Sequence, residues 1–203
     1  SRSAENYGLT LILGGAEVKL YDLARYYAFQ ARLLIEPSNK TSLHFLKDSN
    51  YQNPPKHPIN PGAWWLITEA LTEVQRPGVN IDWRAYDNAR KIAWKTGTSH
   101  GFRDAWALGV SPEFTCVVWV GNASGEGRPG LIGAEAAGPI LFNFLNSIIK
   151  RNSWFETPYD QLTEKVLCAE SGKSASSICP AVDTVWIPFQ AKALKPCPYH
   201  QRY

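Results

Sequence analysis

Apolar and polar positions follow different rhythms along the chain, and each change of rhythm marks an element. Residues 9–13, Leu-Thr-Leu-Ile-Leu, form an apolar run ending at Gly14-Gly15, which predicts a brief strand that turns at the glycines. Leu20, Leu23, Ala24, Tyr27 and Ala31 then recur at three- and four-residue steps, the spacing that gathers side chains on one face of a helix over about residues 20–33. Residues 36–61 are polar and rich in Pro and Asn, so they read as loop. A second helix is punctuated at both ends: Asn60 suits the N-cap, Pro61 the first turn, and Arg76-Pro77-Gly78 the stop. Its apolar stripe is Trp64, Ile67, Leu71 and Val74. After an irregular stretch at 81–90 come three β-prone runs, 91–98, 105–110 and 115–121, with Ser111-Pro112-Glu113 turning between the last two. Residues 124–133 are a Gly-rich loop. Residues 136–150 read as a helix with Pro139 near its start and Ile140, Phe144 and Ile148 on one face. From Arg151 the composition turns to Cys, Ser, Pro and Lys without sustained periodicity, so a domain boundary is expected there, separating residues 1–150 from an extension at 151–203. The succession predicts an α+β fold, an antiparallel sheet packed with helices.

Composition changes this picture mainly by exclusion. The 203 residues are 44% hydrophobic and 19% charged, ordinary for a folded protein. A net charge of +3 with no basic run argues against nucleic acid as a partner. No apolar stretch reaches transmembrane length and no signal peptide opens the chain. The opening Ser1-Arg2-Ser3 and the absence of Met read as an internal start. Eight Trp suit a packed core and equally a groove for peptide or glycan.

Chemistry concentrates in Lys95-Thr96-Gly97-Thr98-Ser99, at the end of the first β-prone run. A Lys there brings positive charge to the mouth of a site. Gly, without Cβ, lets an extended ligand lie against the strand, a hydroxyl after it can bind a carboxylate, and a backbone N–H can serve as half of an oxyanion hole. Lys-Thr-Gly on an edge strand is one of three signature elements of penicillin-binding and β-lactamase serine acyl-transferases. Asp104-Ala105-Trp106, Val118-Trp119-Val120-Gly121-Asn122 and the early Leu11-Ile12-Leu13-Gly14-Gly15-Ala16-Glu17-Val18 complete a resemblance to the C-terminal part of a penicillin-binding transpeptidase domain. The tail from Cys168 to Pro196-Cys197-Pro198-Tyr199-His200 resembles the 1C type of class A penicillin-binding proteins.

The resemblance implies a serine D,D-transpeptidase that cross-links peptidoglycan stem peptides and is acylated by β-lactams, its parent a bifunctional enzyme with a glycosyltransferase. It implies a place at the periplasmic face of the bacterial inner membrane, with the anchor outside this chain. Lys95 and Thr98 are then the catalytic candidates, Lys95 for charge and Thr98 for its oxyanion N–H. Thr96, Gly97 and Ser99 are the substrate-binding candidates. The serine nucleophile, its lysine and the second Ser/Asn element are not in this sequence, so the N-terminal half of the domain is an expected partner and the chain alone is expected to be inactive. No cofactor and no metal are expected. The alternatives are a non-catalytic peptidoglycan-binding scaffold and an α/β-hydrolase using Ser99.

Several motifs compete for attention. Gly97-Thr98-Ser99-His100-Gly101 fits G-x-S-x-G, with Asp160 or Asp183 and then His200 in hydrolase order, but a nucleophile elbow needs a helix directly after its Ser and the next run here is β-prone. Ser147-Ile148-Ile149-Lys150 fits S-x-x-K but follows Lys-Thr-Gly and sits near a helix end. Asp104 and Trp106 read as structural, a hairpin anchor and a core filler. Cys116 reads as a buried thiol, and His44 and His57 are assigned nothing. Cys168, Cys179, Cys197 and His200 could form a Cys₃His zinc site, yet they lack paired C-x₂-C knuckles. In the oxidising compartment the resemblance implies, a Cys168–Cys179 disulfide is favoured, with Cys197 free or paired outside this segment and His200 incidental.

Overall fold

The structure is a computed structural model that describes residues 4–36, 59–78, 82–86, 89–191 and 194–200. His44, His57 and nearly all of the loop expected at 36–61 lie outside the described residues, as do parts of the irregular stretch at 81–90. The chain divides into two compact units, Ser1–Pro58 with Ile67–Glu156, and Ile59–Leu66 with Thr157–Tyr203. The architecture is α+β.

The first unit is built on a three-stranded antiparallel meander: β1 (Ala93–Thr98), β2 (Asp104–Val110) and β3 (Thr115–Gly121), in that spatial order. The registers pair Trp94 with Gly109, Gly97 with Trp106, and Trp106 with Trp119. Cross-strand partners share a sheet face, so Trp94, Thr96 and Thr98 stand with Gly109, Ala107 and Ala105, while Lys95 and Gly97 stand with Leu108 and Trp106. The β2–β3 turn is held by Ser111, whose N–H donates to the Phe114 carbonyl at 2.8 Å while its Oγ accepts from the Phe114 N–H at 3.0 Å.

Two helices pack on this sheet. α1 (Leu20–Ile35) contacts β2 and β3 and buries Phe29, Ala31 and Leu34 in its second half. Residues Pro61–Thr72 form α2. In α2 Asn60 caps as expected, its Oδ1 accepting from the Ala63 N–H at 3.2 Å. The buried side chains of α2 are Trp64, Thr68 and Thr72, however, and Ile67 is 40% exposed. The Thr72 hydroxyl donates to the Glu69 carbonyl at 2.7 Å, which lets a polar residue occupy the inner face. α3 (Gly138–Ile148) follows a π-type turn at Gly133–Ala137 and has Pro at its start.

The core of this unit lies where α3 meets β1 and β2: Ile92, Trp94, Ala107, Ala137, Leu141, Phe142, Leu145 and Ile149. Trp94 donates from Nε1 to the Val74 carbonyl at 2.9 Å and meets Phe142 edge-on, centroids 5.0 Å apart. The inward stripe of α3 is therefore Leu141, Leu145 and Ile149. Of the stripe the periodicity favoured, Ile140 and Phe144 are half exposed and Ile148 only flanks the core. Gly109 decides between the two stripes. A Cβ there would stand 2.7 Å from Leu145 Cδ1 and 3.1 Å from Leu141 Cδ2, so the helix docks into the space this glycine leaves.

Two further elements differ from expectation. Residues Gly8–Leu13 form a 3-10 helix in place of a strand, closed by Gly14 at φ 87 with its N–H bonded to the Leu11 carbonyl at 3.1 Å. Leu9, Ile12 and Leu13 are 84%, 85% and 89% exposed, and with no neighbouring strand among the described residues the backbone bonds locally. In the second unit the tail has regular structure after all, a hairpin-like pair of antiparallel strands, β4 (Leu162–Cys168) and β5 (Val182–Pro188). Only Leu162 and Cys168 of these strands are buried, so the pair imposes no in–out alternation for a sequence pattern to display. Among the described residues no helix is long and apolar enough to cross a membrane.

Candidate functional site

Both faces of β1 are covered at Ala93 and Trp94, and the cover ends at Lys95, which is exposed. From there the strand forms one wall of a groove of about 520 Å³. Lys95, Thr96, Gly97, Thr98 and Ser99 all line it, together with Trp106, Ala107 and Leu108 from β2, Leu23 and Tyr27 from α1, and Gly14 and Ala16–Val18 from the segment before α1. Among the described residues β1 lies at the edge of its sheet, pairing with β2 alone.

The five motif residues are held in different ways. Lys95 Nζ donates to the Thr96 carbonyl at 2.6 Å, keeping the ammonium along the strand. Thr98 Oγ1 accepts from the Gly133 N–H at 3.0 Å, so its own O–H remains a donor. Ser99 closes the β1–β2 turn: its Oγ accepts from the Asp104 N–H at 2.8 Å and its N–H donates to the Asp104 carbonyl at 2.9 Å. Gly97 is held only by its place opposite Trp106 in the β1–β2 ladder. A Cβ on it would meet only Trp106 Cβ at 3.5 Å, an ordinary contact, and its φ is not left-handed. The fold of the described residues thus gives no reason for glycine at this position.

The competing motifs find other settings. After Ser99 the chain turns through Gly101 and Phe102, both at positive φ, into strand β2, so the strand–helix elbow of a hydrolase is absent. Ser147 Oγ donates to the Phe144 carbonyl at 2.7 Å within α3. Asp104 anchors the hairpin and its Oδ1 accepts from Trp119 Nε1 at 2.8 Å. Trp106, expected in the core, is half-buried and lines the groove instead. Opposite it in register stands Gly97, which has no side chain to cover the indole. That pairing was the available signal for Trp106. The helical spacing placed Tyr27 on the apolar stripe of α1 but gave it no part in the groove; its phenol is pushed up by burial and by neighbouring Tyr26 and so stays protonated at the groove wall. Cys116 is half-buried against the core, and burial pushes its thiol up.

In the second unit, Cys168, Cys179, Cys197 and His200 come together, their ligand atoms all within 4.8 Å of one another. All four cysteines of the chain are free thiols. Burial works against ionisation of Cys197, but hydrogen bonds from the Ser171 hydroxyl, the His200 and Tyr199 N–H groups and the His200 ring hold its thiol down to about 6.

No protein-family model matches the chain. Over 170 residues it is 32% identical to penicillin-binding protein 1C of Escherichia coli strain K12, a stretch covering 82% of this chain and 21% of that protein. It is 30% identical over 117 residues to penicillin-binding protein 1A of Clostridium tetani, covering 52% of this chain and 14% of that one. The crystal structure of penicillin-binding protein 1A from Haemophilus influenzae matches with a TM-score of 0.52 and 19% identity, over 76% of this chain and 24% of that chain, which is a likeness of fold. The chain spans about a fifth of the length of the first of these relatives.

Proposed function

The chain belongs to the class A penicillin-binding proteins and resembles their 1C type, and from that premise we propose that its first unit is the substrate-edge part of a serine D,D-transpeptidase of peptidoglycan synthesis. A stem peptide ending in D-alanyl-D-alanine would lie extended along the open edge of β1, adding a strand to the sheet. The observation that supports this reading best is Gly97. A glycine that no packing or backbone conformation among the described residues calls for sits on an edge strand, on the wall of a groove, flanked by Thr96 and Thr98 with Lys95 two residues before it.

The roles follow from position. Lys95 supplies positive charge beside the acylation centre, and the Thr98 N–H supplies one oxyanion donor. Thr96 and Thr98 bring hydroxyls for the terminal carboxylate, the second of them still free to donate while Gly133 occupies its lone pair. Ser99 positions the turn and lines the groove. In the reaction, a serine oxygen forms an ester with the penultimate D-alanine carbonyl as the peptide bond breaks and D-alanine leaves as the amine. An acceptor amine then displaces the serine. That serine and its lysine would be carried by polypeptide outside these 203 residues, in a protein held at the periplasmic face of the inner membrane, where β-lactams acylate the same serine.

Fluorescent penicillin tests this directly. The full-length protein should be labelled, the 203-residue chain alone should not, and Lys95→Ala in the full-length protein should slow labelling by about 10²–10³ with little change in Tm. Equal labelling rates for Lys95→Ala and the parent would overturn the assignment of Lys95. No labelling of the folded full-length protein would leave a non-catalytic peptidoglycan-binding scaffold as the reading.

A further inference from the structure

We propose that Cys168, Cys179, Cys197 and His200 bind one Zn²⁺ as a closed, four-coordinate structural site in the C-terminal unit, in place of the Cys168–Cys179 disulfide that the sequence favoured. The first support is geometric. Around a tetrahedral zinc, with sulfur at about 2.3 Å and nitrogen at about 2.0–2.1 Å, ligand atoms stand about 3.5–3.8 Å apart. His200 Nδ1 is 3.5 Å from Cys168 Sγ and 3.4 Å from Cys197 Sγ, and the widest separation in the set is within 4.8 Å. Closing the widest separation by about an ångström brings the set to tetrahedral spacing.

The second support is the far side of the histidine. With Nδ1 turned to the sulfurs, His200 Nε2 lies 3.5 Å from Glu170 Oε2. A zinc-bound histidine characteristically gives its other N–H to a carboxylate, which fixes the tautomer and makes the metal-facing nitrogen a better ligand. The sulfurs are also supplied with donors, as thiolates on a metal require. The Ser171 hydroxyl donates to Cys197 Sγ at 3.3 Å and the Ser176 N–H donates to Cys179 Sγ at 3.2 Å. A disulfide would occupy two sulfurs and give no task to the third thiol, the histidine or Glu170. A metal uses all five.

Local structure holds the ligands in place. Cys168 ends β4 and opens a turn in which the Gly172 N–H returns to its carbonyl at 2.9 Å, with Gly172 at φ 62. Ser174 bridges that turn to the last segment, accepting from the Cys197 N–H at 2.9 Å and donating to the Lys195 carbonyl at 3.1 Å. Cys197-Pro198-Tyr199-His200 then presents two ligands from one C-x₂-H turn. Three thiolates with one imidazole select zinc among the common divalent ions. The unit also has use for such a tie, because a two-stranded sheet is marginal alone and few of its side chains are buried.

The test uses the purified protein, prepared without added reductant and passed through gel filtration. It should retain one zinc per chain by mass spectrometry of the metal, and Cys168, Cys179 and Cys197 should resist alkylation until a strong chelator is added. Co²⁺ in place of Zn²⁺ should give the thiolate charge-transfer and ligand-field bands of a tetrahedral site, and these should be lost in Cys197→Ser and kept in Cys116→Ser. Glu170→Gln leaves all four ligands in place, so it should fold and should release zinc to a competing chelator at about 10–100-fold weaker affinity. A Cys168–Cys179 peptide pair in non-reducing mapping, or less than a tenth of an equivalent of zinc after reconstitution with reduced thiols, would overturn the site. Equal zinc retention by Glu170→Gln and the parent would remove Glu170 from it.

Discussion

Gly97 and Gly109 are both strand glycines, and their surroundings predict opposite outcomes for the same methyl group. At Gly97 the added Cβ meets only Trp106 at 3.5 Å, so Gly97→Ala should fold as well as the parent or gain about 0.4–1 kcal/mol by restricting the unfolded chain. If the edge of β1 holds substrate, the same methyl displaces the peptide by about an ångström, and acylation of the full-length protein should fall about 10²-fold. Thermal unfolding and penicillin labelling on one preparation separate the two effects. At Gly109 the Cβ collides with Leu145 and Leu141, so Gly109→Ala should cost about 1–3 kcal/mol in denaturant unfolding. At this scale the sequence was legible where a residue type has one main use. Lys-Thr-Gly at a strand end carried its own chemistry, and Asn60 its cap. Trp106 was not legible, because its exposure depends on which residue the register sets opposite it.

Among the elements, every strand of the central meander and each of the three α-helices was readable from periodicity and end signals, to within a few residues at the ends. The inward faces were less readable. α3 is apolar on two sides, so Ile140-Phe144-Ile148 and Leu141-Leu145-Ile149 fit a helix stripe equally well, and only the space at Gly109 settles which goes in. Leu145→Ala should therefore cost about 2–5 kcal/mol, while Phe144→Ala should stay near or below about 1 kcal/mol if the half-exposed ring has no further partner. Equal losses in equilibrium unfolding would put the stripe back where the periodicity had it. The run at 9–13 and the β4–β5 pair failed for a shared reason. A strand is recognised by alternation, alternation is enforced by a buried face, and neither segment buries one.

For the molecule as a whole, the position of β1 has an effect on how copies of the chain behave together. An edge open enough to accept one extended peptide is open to any extended backbone, including the same edge of a second molecule. Lys95 is the only charged residue in Ala93–Thr98, so two copies pairing edge to edge would bring two ammonium groups close along an otherwise uncharged strand. The side chain proposed to attract a substrate thus also guards the protein against itself. In sedimentation experiments Lys95→Ala should self-associate at lower concentration than the parent, and more so at low salt, where the parent's repulsion is least screened. Coincident association curves would show that the edge is protected by something other than its lysine.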